Sequence, residues 1–150
     1  MEDNKPYFKI GVGDSHYLIV KPLYRPYDQC QDEWDGNWVN SQILIRVGGF
    51  NGNIMASLRT DEFIRFKEEL SKLYSTLKGQ ASFSSMEHWL TIHVEGDGLG
   101  HFEADCVAMD EVGIGNRLQF GLDFDQTDLP GIIKDLDGIL RAFPVRGYAS

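Results

Sequence analysis

The chain has few cysteines, no long apolar run and no basic leader segment, and each absence excludes a class of protein. Its two cysteines, Cys30 and Cys106, lack the spacing of a metal or redox motif, so we expect free thiols in a reducing compartment. No apolar run approaches the roughly 18 residues of a membrane-spanning helix. The first ten residues, MEDNKPYFKI, lack the basic end and apolar stretch of a signal peptide. The sequence therefore predicts a cytoplasmic protein with no membrane association.

Basic residues are scarcest between Glu95 and Asp137. This span holds eleven acids and only two bases, Arg117 and Lys134, and accounts for the whole net charge of −9. Phosphate contacts require Lys and Arg, so the acidic span argues against direct binding of nucleic acid and of anionic membranes. The same charge would attract a basic protein partner, or would serve only solubility.

Apolar residues alternate with polar ones along most of the chain, which predicts an antiparallel sheet with one wet face. At 150 residues the chain can bury a core of its own, and we expect one domain, 1–150. The dipeptide Asn51-Gly52 predicts the turn of the second hairpin. The predicted strands cover residues 7–12, 16–23, 38–47, 53–59, 81–85 and 89–95, followed by two more around 102–108 and 118–124.

Two segments have apolar residues at helical spacing. The first helix has Thr60 as its predicted cap and stops at Lys78 and Gly79, where glycine suits a left-handed C-cap. The second runs from about Asp128 to Ala142 and is stopped by Pro144. The resulting order, ββββαββββα, predicts an α+β fold of mostly antiparallel sheet, with about eight strands and two helices packed on one face.

The stretch TIHVEGDGLGHFEAD, residues 91–105, places His93 and His101 beside acids around glycines. If residues 95–99 turn the chain, the two histidines approach each other across a hairpin, and with a carboxylate they could bind zinc. Alternation, however, explains each of them as an outward residue on a wet strand face, where little would orient a metal ligand. We therefore expect a hairpin with no metal and no cofactor.

The remaining motifs give no support for catalysis. The glycines of residues 96–100 precede no helix, so they do not form a phosphate-binding loop. In DFDQTDLPGIIK, residues 123–134, Asp128 and Lys134 replace the glycine and glutamate of a calcium loop. No serine lies in a G-x-S-x-G motif, and neither cysteine has a reactive context. We expect a protein that is not an enzyme and has no catalytic residues.

Two surfaces combine aromatic or apolar residues with acids, as protein interfaces do. One is the connection 24–39, although we expect Trp34 and Trp38 to plug the end of the core. The other is the outward face of the later strands, unless the first strands cover it as a second sheet. We place the partner-binding site on this second surface, at Trp89, His93, Glu95, Glu103, Asp105, Asp110, Glu111 and Asp123.

Six blocks of sequence resemble the WapI-type immunity family of small bacterial proteins. The resemblance spans about residues 34–147, and it implies a cytoplasmic antitoxin that binds the C-terminal domain of a polymorphic toxin. Such systems include contact-dependent inhibition, and the family's type toxin cleaves tRNA. The matching residues lie at turns and helix starts, so no catalytic residue carries over. The blocks are DGNW (35–38), VGGFNG (47–52), LRTDEFIRFKEELSKLYSTLKGQASF (58–83), GDGLGHFE (96–103), GNRLQFGLDFDQTDLPGII (115–133) and AFPVRG (142–147).

Two functional hypotheses follow from these observations. In the first, an immunity protein blocks the basic groove of a nuclease-type toxin by stoichiometric occlusion, using its acidic surface. In the second, the chain is a small-ligand-binding or accessory domain with a pocket between sheet and helices. An enzyme has only His93 and His101 in its favour, and nothing in the sequence indicates a homo-oligomer. A toxin gene directly upstream would favour the first hypothesis.

Overall fold

The computed structural model describes residues 4–147. Residues 1–3, which belong to the segment where we expect no signal peptide, and residues 148–150 lie outside the described part. The observed order, ββββαββββα, confirms the predicted α+β fold. The elements are β1 Phe8–Gly11, β2 His16–Tyr24, a 3-10 turn Asp35–Asn37, β3 Trp38–Val47, β4 Phe50–Arg59, α1 Thr60–Thr76, β5 Lys78–Ser84, β6 Leu90–Asp97, β7 His101–Met109, β8 Arg117–Asp125 and α2 Leu129–Ala142.

The strands form two antiparallel sheets of four, each arranged in chain order. The first sheet is β1-β2-β3-β4 and the second is β5-β6-β7-β8. Alternate residues of the strands are buried, and one hydrophobic cluster includes side chains from both sheets and both helices. α1 packs mainly on β5 and α2, while β1 lies beside β8. Within residues 4–147, neither helix is long and apolar enough to cross a membrane.

Four phenylalanines join the two sheets to α1. Phe8 of β1 contacts Phe63 and Phe66 of α1 and Phe83 of β5, with ring centroids 5.8–6.3 Å apart. All four side chains are at most 1% exposed. Burying each one contributes roughly 1.5–3 kcal/mol, and edge-on ring contacts add to this. The apolar side of α1 therefore packs on both sheets and completes the core.

The turn between β3 and β4 differs from the prediction. Gly48 and Gly49 form it, whereas Asn51 and Gly52 lie inside β4, where Gly52 pairs with Ile45 of β3. Gly48 has φ of +61°, a conformation that two-residue hairpin turns favour and glycine adopts without strain. A Cβ atom on Gly52 would lie 3.4 Å from the Ile45 side chain, so this glycine leaves room for a cross-strand contact.

The ends of β1 and α1 also differ from the prediction. Val12 lies beyond β1 and is 67% exposed, instead of sharing the inward face of the strand. Arg59, not Thr60, occupies the N-cap position of α1. At the other end Leu77 takes the left-handed C-cap conformation with φ of +62°, because β5 begins at the next residue and Gly79 already lies within it.

The buried amide of Asn37 joins three distant segments. Its nitrogen donates to the carbonyl oxygens of Glu33 and Arg146, each at 2.9 Å. Its oxygen accepts from the Thr60 hydroxyl and from the Arg146 N–H, each at 2.8 Å. The side chain is 0% exposed, and all its hydrogen-bonding positions are used. It thereby ties the connection after β2, the first residue of α1 and the C-terminal segment together.

The guanidinium group of Arg59 lies beside this junction and holds two tryptophans. It is 4.7 Å from the ring centroid of Trp34 and 4.9 Å from that of Trp38. It also donates to the carbonyl oxygens of Trp34 and Glu33 and forms an ion pair with Asp61. Trp34 is nevertheless 53% exposed, so the expectation that both tryptophans plug the core is wrong for Trp34.

Replacing Asn37 tests the importance of this junction. Asn37→Ala leaves the Thr60 hydroxyl and the polar backbone atoms of Arg146 buried without partners, at about 1–3 kcal/mol for each unsatisfied group. We expect the free energy of unfolding, measured by urea denaturation, to fall by about 3 kcal/mol. The matched control, Asn53→Ala, removes one exposed hydrogen bond to Gln42 and should change stability by less than about 0.5 kcal/mol. Equal losses in the two variants would contradict this role.

Candidate functional site

The outward face of the second sheet is exposed. Alternate side chains of β6, β7 and β8 point away from the core and are accessible to solvent. The first sheet packs on the inward side, through the shared cluster, and meets the second sheet at the β8 edge. The alternative that the first strands cover this face is therefore wrong: among the described residues of the first hairpin, only Gly11, Val12 and His16 approach it, and its outward side chains on β7 and β8 are largely exposed.

Strand register places three of the candidate acids in one row on this face. Glu95 of β6 pairs with Glu103 of β7, and Glu103 pairs with Asp123 of β8. Residues directly opposite on neighbouring strands have Cβ atoms about 5 Å apart. Asp105 is the next outward residue of β7. These four residues, Glu95, Glu103, Asp105 and Asp123, are called the acidic face below.

A groove of about 350 Å³ runs into the acidic face. It opens where Gly121 of β8, which lacks a side chain, pairs with Asp105. Glu103, Asp105 and Asp123 line it on the sheet, together with Gly11, Val12 and His16 of the first hairpin. Carboxylates around such a space would accept hydrogen bonds from a cationic side chain of a partner.

The two histidines of the β6–β7 hairpin, His93 and His101, lie apart. β6 continues beyond Glu95, so His93 pairs with Asp105 and not with His101. One ring nitrogen of His93 lies 3.0 Å from the Ser82 hydroxyl, and the other lies 3.4 Å from the Glu95 carboxylate. The expected approach of His93 to His101 is therefore wrong. Among residues 4–147 no group of three or more His, Cys, Asp or Glu side chains could hold a metal ion.

Two further acids of the acidic span between Glu95 and Asp137 hold turns in place through hydrogen bonds. The Asp97 carboxylate accepts hydrogen bonds from the N–H groups of Leu99 and His101, which lower its pKa. The Asp110 carboxylate accepts from the side-chain amide and the N–H of Asn116, which also lower its pKa. Both groups stay ionised at neutral pH, and both shape the hairpins that carry the acidic face.

Three of the predicted partner-binding residues lie away from the acidic face. Asp110 and Glu111 follow β7, roughly 24 Å along the strand from Glu103. Trp89 packs against the core just before β6, and its indole N–H is buried with no hydrogen-bond partner among the described residues. The residues that the structure does bring together are His93, Glu95, Glu103, Asp105 and Asp123.

A second cavity lies at one end of the first sheet. The sequence alone did not indicate that the residues lining it come together. The cavity volume is about 430 Å³, and three aromatic residues, Tyr27, Trp34 and Trp38, line it with the acids Asp35 and Glu87. The aromatic connection 24–39 is visible in the sequence. Glu87, however, comes from the loop between β5 and β6, where it resembles any polar residue of a turn.

Comparison with known proteins agrees with the observed fold. The model of the Immunity protein WapI-like family matches residues 9–144, and so includes β2 and nearly all of β1 as well as the blocks noted above up to residue 144. No curated protein matches the chain. The solved structure titled "Crystal structures of trypanosoma bruciei MRP1/MRP2" is 13% identical, with a TM-score of 0.51 over 92% of this chain and 85% of that chain. At that identity the likeness concerns the fold alone.

The family match spans residues 9–144, which is most of the chain and includes residues of both sheets and both helices. The chain belongs to the WapI-like immunity protein family.

Proposed function

We propose that this chain is a bacterial immunity protein that neutralises a cognate toxin domain by binding it stoichiometrically, without catalysing a reaction. Membership of the family supports a toxin as the partner. The observation that carries the proposed binding mode is the row of Glu95, Glu103 and Asp123 on an exposed sheet face. A cytoplasmic location, a basic partner and the lack of direct contact with nucleic acid or membrane belong to the same proposal.

The acidic face suits the substrate groove of a nuclease-type toxin. Such a groove is basic because it binds phosphate groups, and a row of carboxylates presents the same sign of charge. The paired strands fix the backbone positions of these residues, so no loop has to be ordered on binding. The groove at Gly121 adds a space for one lysine or arginine side chain of the toxin. Occupation of the toxin groove would then exclude its substrate.

We expect Glu103, the central acid of the row, to lower the stability of the free protein, as is typical of a residue that serves binding. Glu103 has a like charge on each neighbouring strand, and like charges directly opposite destabilise a sheet. We expect Glu103→Gln to raise the free energy of unfolding by a few tenths of a kcal/mol in low salt, and by less in high salt. Urea denaturation at both salt concentrations measures this.

The control for this prediction is Glu68→Gln, on the exposed side of α1, where Lys72 lies four residues away. The free energy of unfolding of the Glu68→Gln variant should equal that of the original chain or be slightly lower. A Glu103→Gln variant that is less stable than the original chain in low salt would argue against repulsion within the row.

Charge reversal tests the binding mode. The double variant Glu103→Lys/Asp123→Lys should bind the toxin domain encoded by the adjacent upstream gene roughly tenfold more slowly in low salt, with weaker salt dependence. Glu68→Lys/Asp135→Lys changes the net charge equally, but on the helices, and should bind nearly as fast as the original chain. Surface plasmon resonance at several salt concentrations gives both rates.

Two results would separate the parts of this proposal. Equal association rates for the two double variants would contradict docking through the acidic face, even if the complex forms. Failure of the original chain to form a 1:1 complex with that toxin domain, or to protect cells that express it, would contradict the immunity function itself.

A further inference from the structure

The aromatic cavity on the first sheet has features of a binding site that are independent of the acidic face. Tyr27 and Trp34 are 51% and 53% exposed, although large aromatic side chains are usually covered. With Trp38 they form three walls of the cavity of about 430 Å³. Exposed aromatic rings around a concave surface are typical of the anchoring points of protein interfaces.

The two acids of this cavity, Asp35 and Glu87, have no cationic partner among residues 4–147. Neither Asp35 nor Glu87 forms an ion pair or a side-chain hydrogen bond with any residue between 4 and 147. Three other acids of the described segment form ion pairs with an arginine or a lysine: Asp61 with Arg59, Asp137 with Lys67 and Asp28 with Arg146. The cavity therefore presents two unneutralised carboxylates next to aromatic rings.

Two parts of the cavity wall, the tryptophan pair and the loop that carries Glu87, are held in place before any partner binds. On one side the Arg59 guanidinium packs against Trp34 and Trp38. On the other side the loop that carries Glu87 is anchored, because the N–H of Met86 donates to the buried Glu62 carboxylate at 2.6 Å. A ligand would thus meet a preformed site and would lose little affinity to ordering of the protein.

From this combination we infer that the cavity binds the guanidinium group of an arginine side chain of the protein partner. A planar guanidinium stacks on aromatic rings and donates hydrogen bonds to carboxylates at the same time, which a lysine ammonium does less well. A protein is favoured over a free small molecule because the half-exposed walls leave much of a ligand uncovered, whereas small-molecule sites bury most of their ligand. The inference rests on the proposed function in taking the partner to be a protein.

Titration with a short peptide tests the cavity without any toxin. The probe is acetyl-Gly-Arg-Gly-amide, added to the ¹⁵N-labelled full chain while the indole N–H signals are followed by NMR. The signals of Trp34 and Trp38 should shift saturably, at millimolar peptide, while that of Trp89, which packs elsewhere on the core, should stay in place. The same peptide with citrulline in place of arginine has nearly the same shape without the charge and should cause no saturable shift.

A matched pair of variants connects the shift to the two acids. Asp35→Asn/Glu87→Gln should weaken peptide binding by roughly fivefold or more, because it removes both carboxylates and keeps their size. The control Asp14→Asn/Glu68→Gln makes the same change in net charge outside the cavity and should bind like the original chain.

Several outcomes would overturn the inference. These are no saturable shift with the arginine peptide, an equal shift with the citrulline peptide, or undiminished binding by Asp35→Asn/Glu87→Gln. Tighter binding of free agmatine than of the peptide would indicate a small-molecule site and would also overturn it. Because the titration contains no toxin, its failure is distinct from a failure of the immunity function, which protection of cells measures separately.

Discussion

The arrangement of the chain depends on the buried amide of Asn37. One side chain satisfies polar groups from the connection after β2, from the start of α1 and from the C-terminal segment. Three of the blocks that resemble the immunity family supply this junction: DGNW contains Asn37, LRTDEF contains Thr60, and AFPVRG contains Arg146. These parts of the sequence therefore maintain the scaffold, and the DGNW block also supplies Asp35 and Trp38 to the aromatic cavity.

The scaffold separates charge between its two sheets. Within the described strands, the outward positions of the first sheet carry four bases, Lys9, Lys21, Arg46 and Arg59, and no acid. The outward positions of the second sheet carry the acidic face, and its bases, Lys78 and Arg117, lie only at strand ends. Because both sheets share one core, the acidic face has a rigid support. This separation of charge supports the proposal that the acidic face attracts a basic partner.

Element order and inward faces could be predicted because strand alternation and helical spacing are local properties of the sequence. Turn position could not, since Gly48-Gly49 and Asn51-Gly52 both permit positive φ and both keep Ile43 and Ile45 on the inward face, so local pattern does not choose between the two registers. Strand register also determines which residues come together in the candidate site. The row from Glu95 to Asp123 exists only when β6, β7 and β8 are aligned, and the cavity at Trp34 requires Glu87 from a loop distant in sequence.

Carboxyl-group footprinting of the chain, alone and bound to the toxin domain encoded upstream, tests the central claim most directly. The method labels accessible Asp and Glu side chains, and mass spectrometry assigns the labelled positions. The account predicts that Glu95, Glu103 and Asp123 are labelled in the free chain and protected in the complex, while Glu68 on α1 is labelled equally in both. Equal labelling of the acidic face with and without the toxin domain would contradict it.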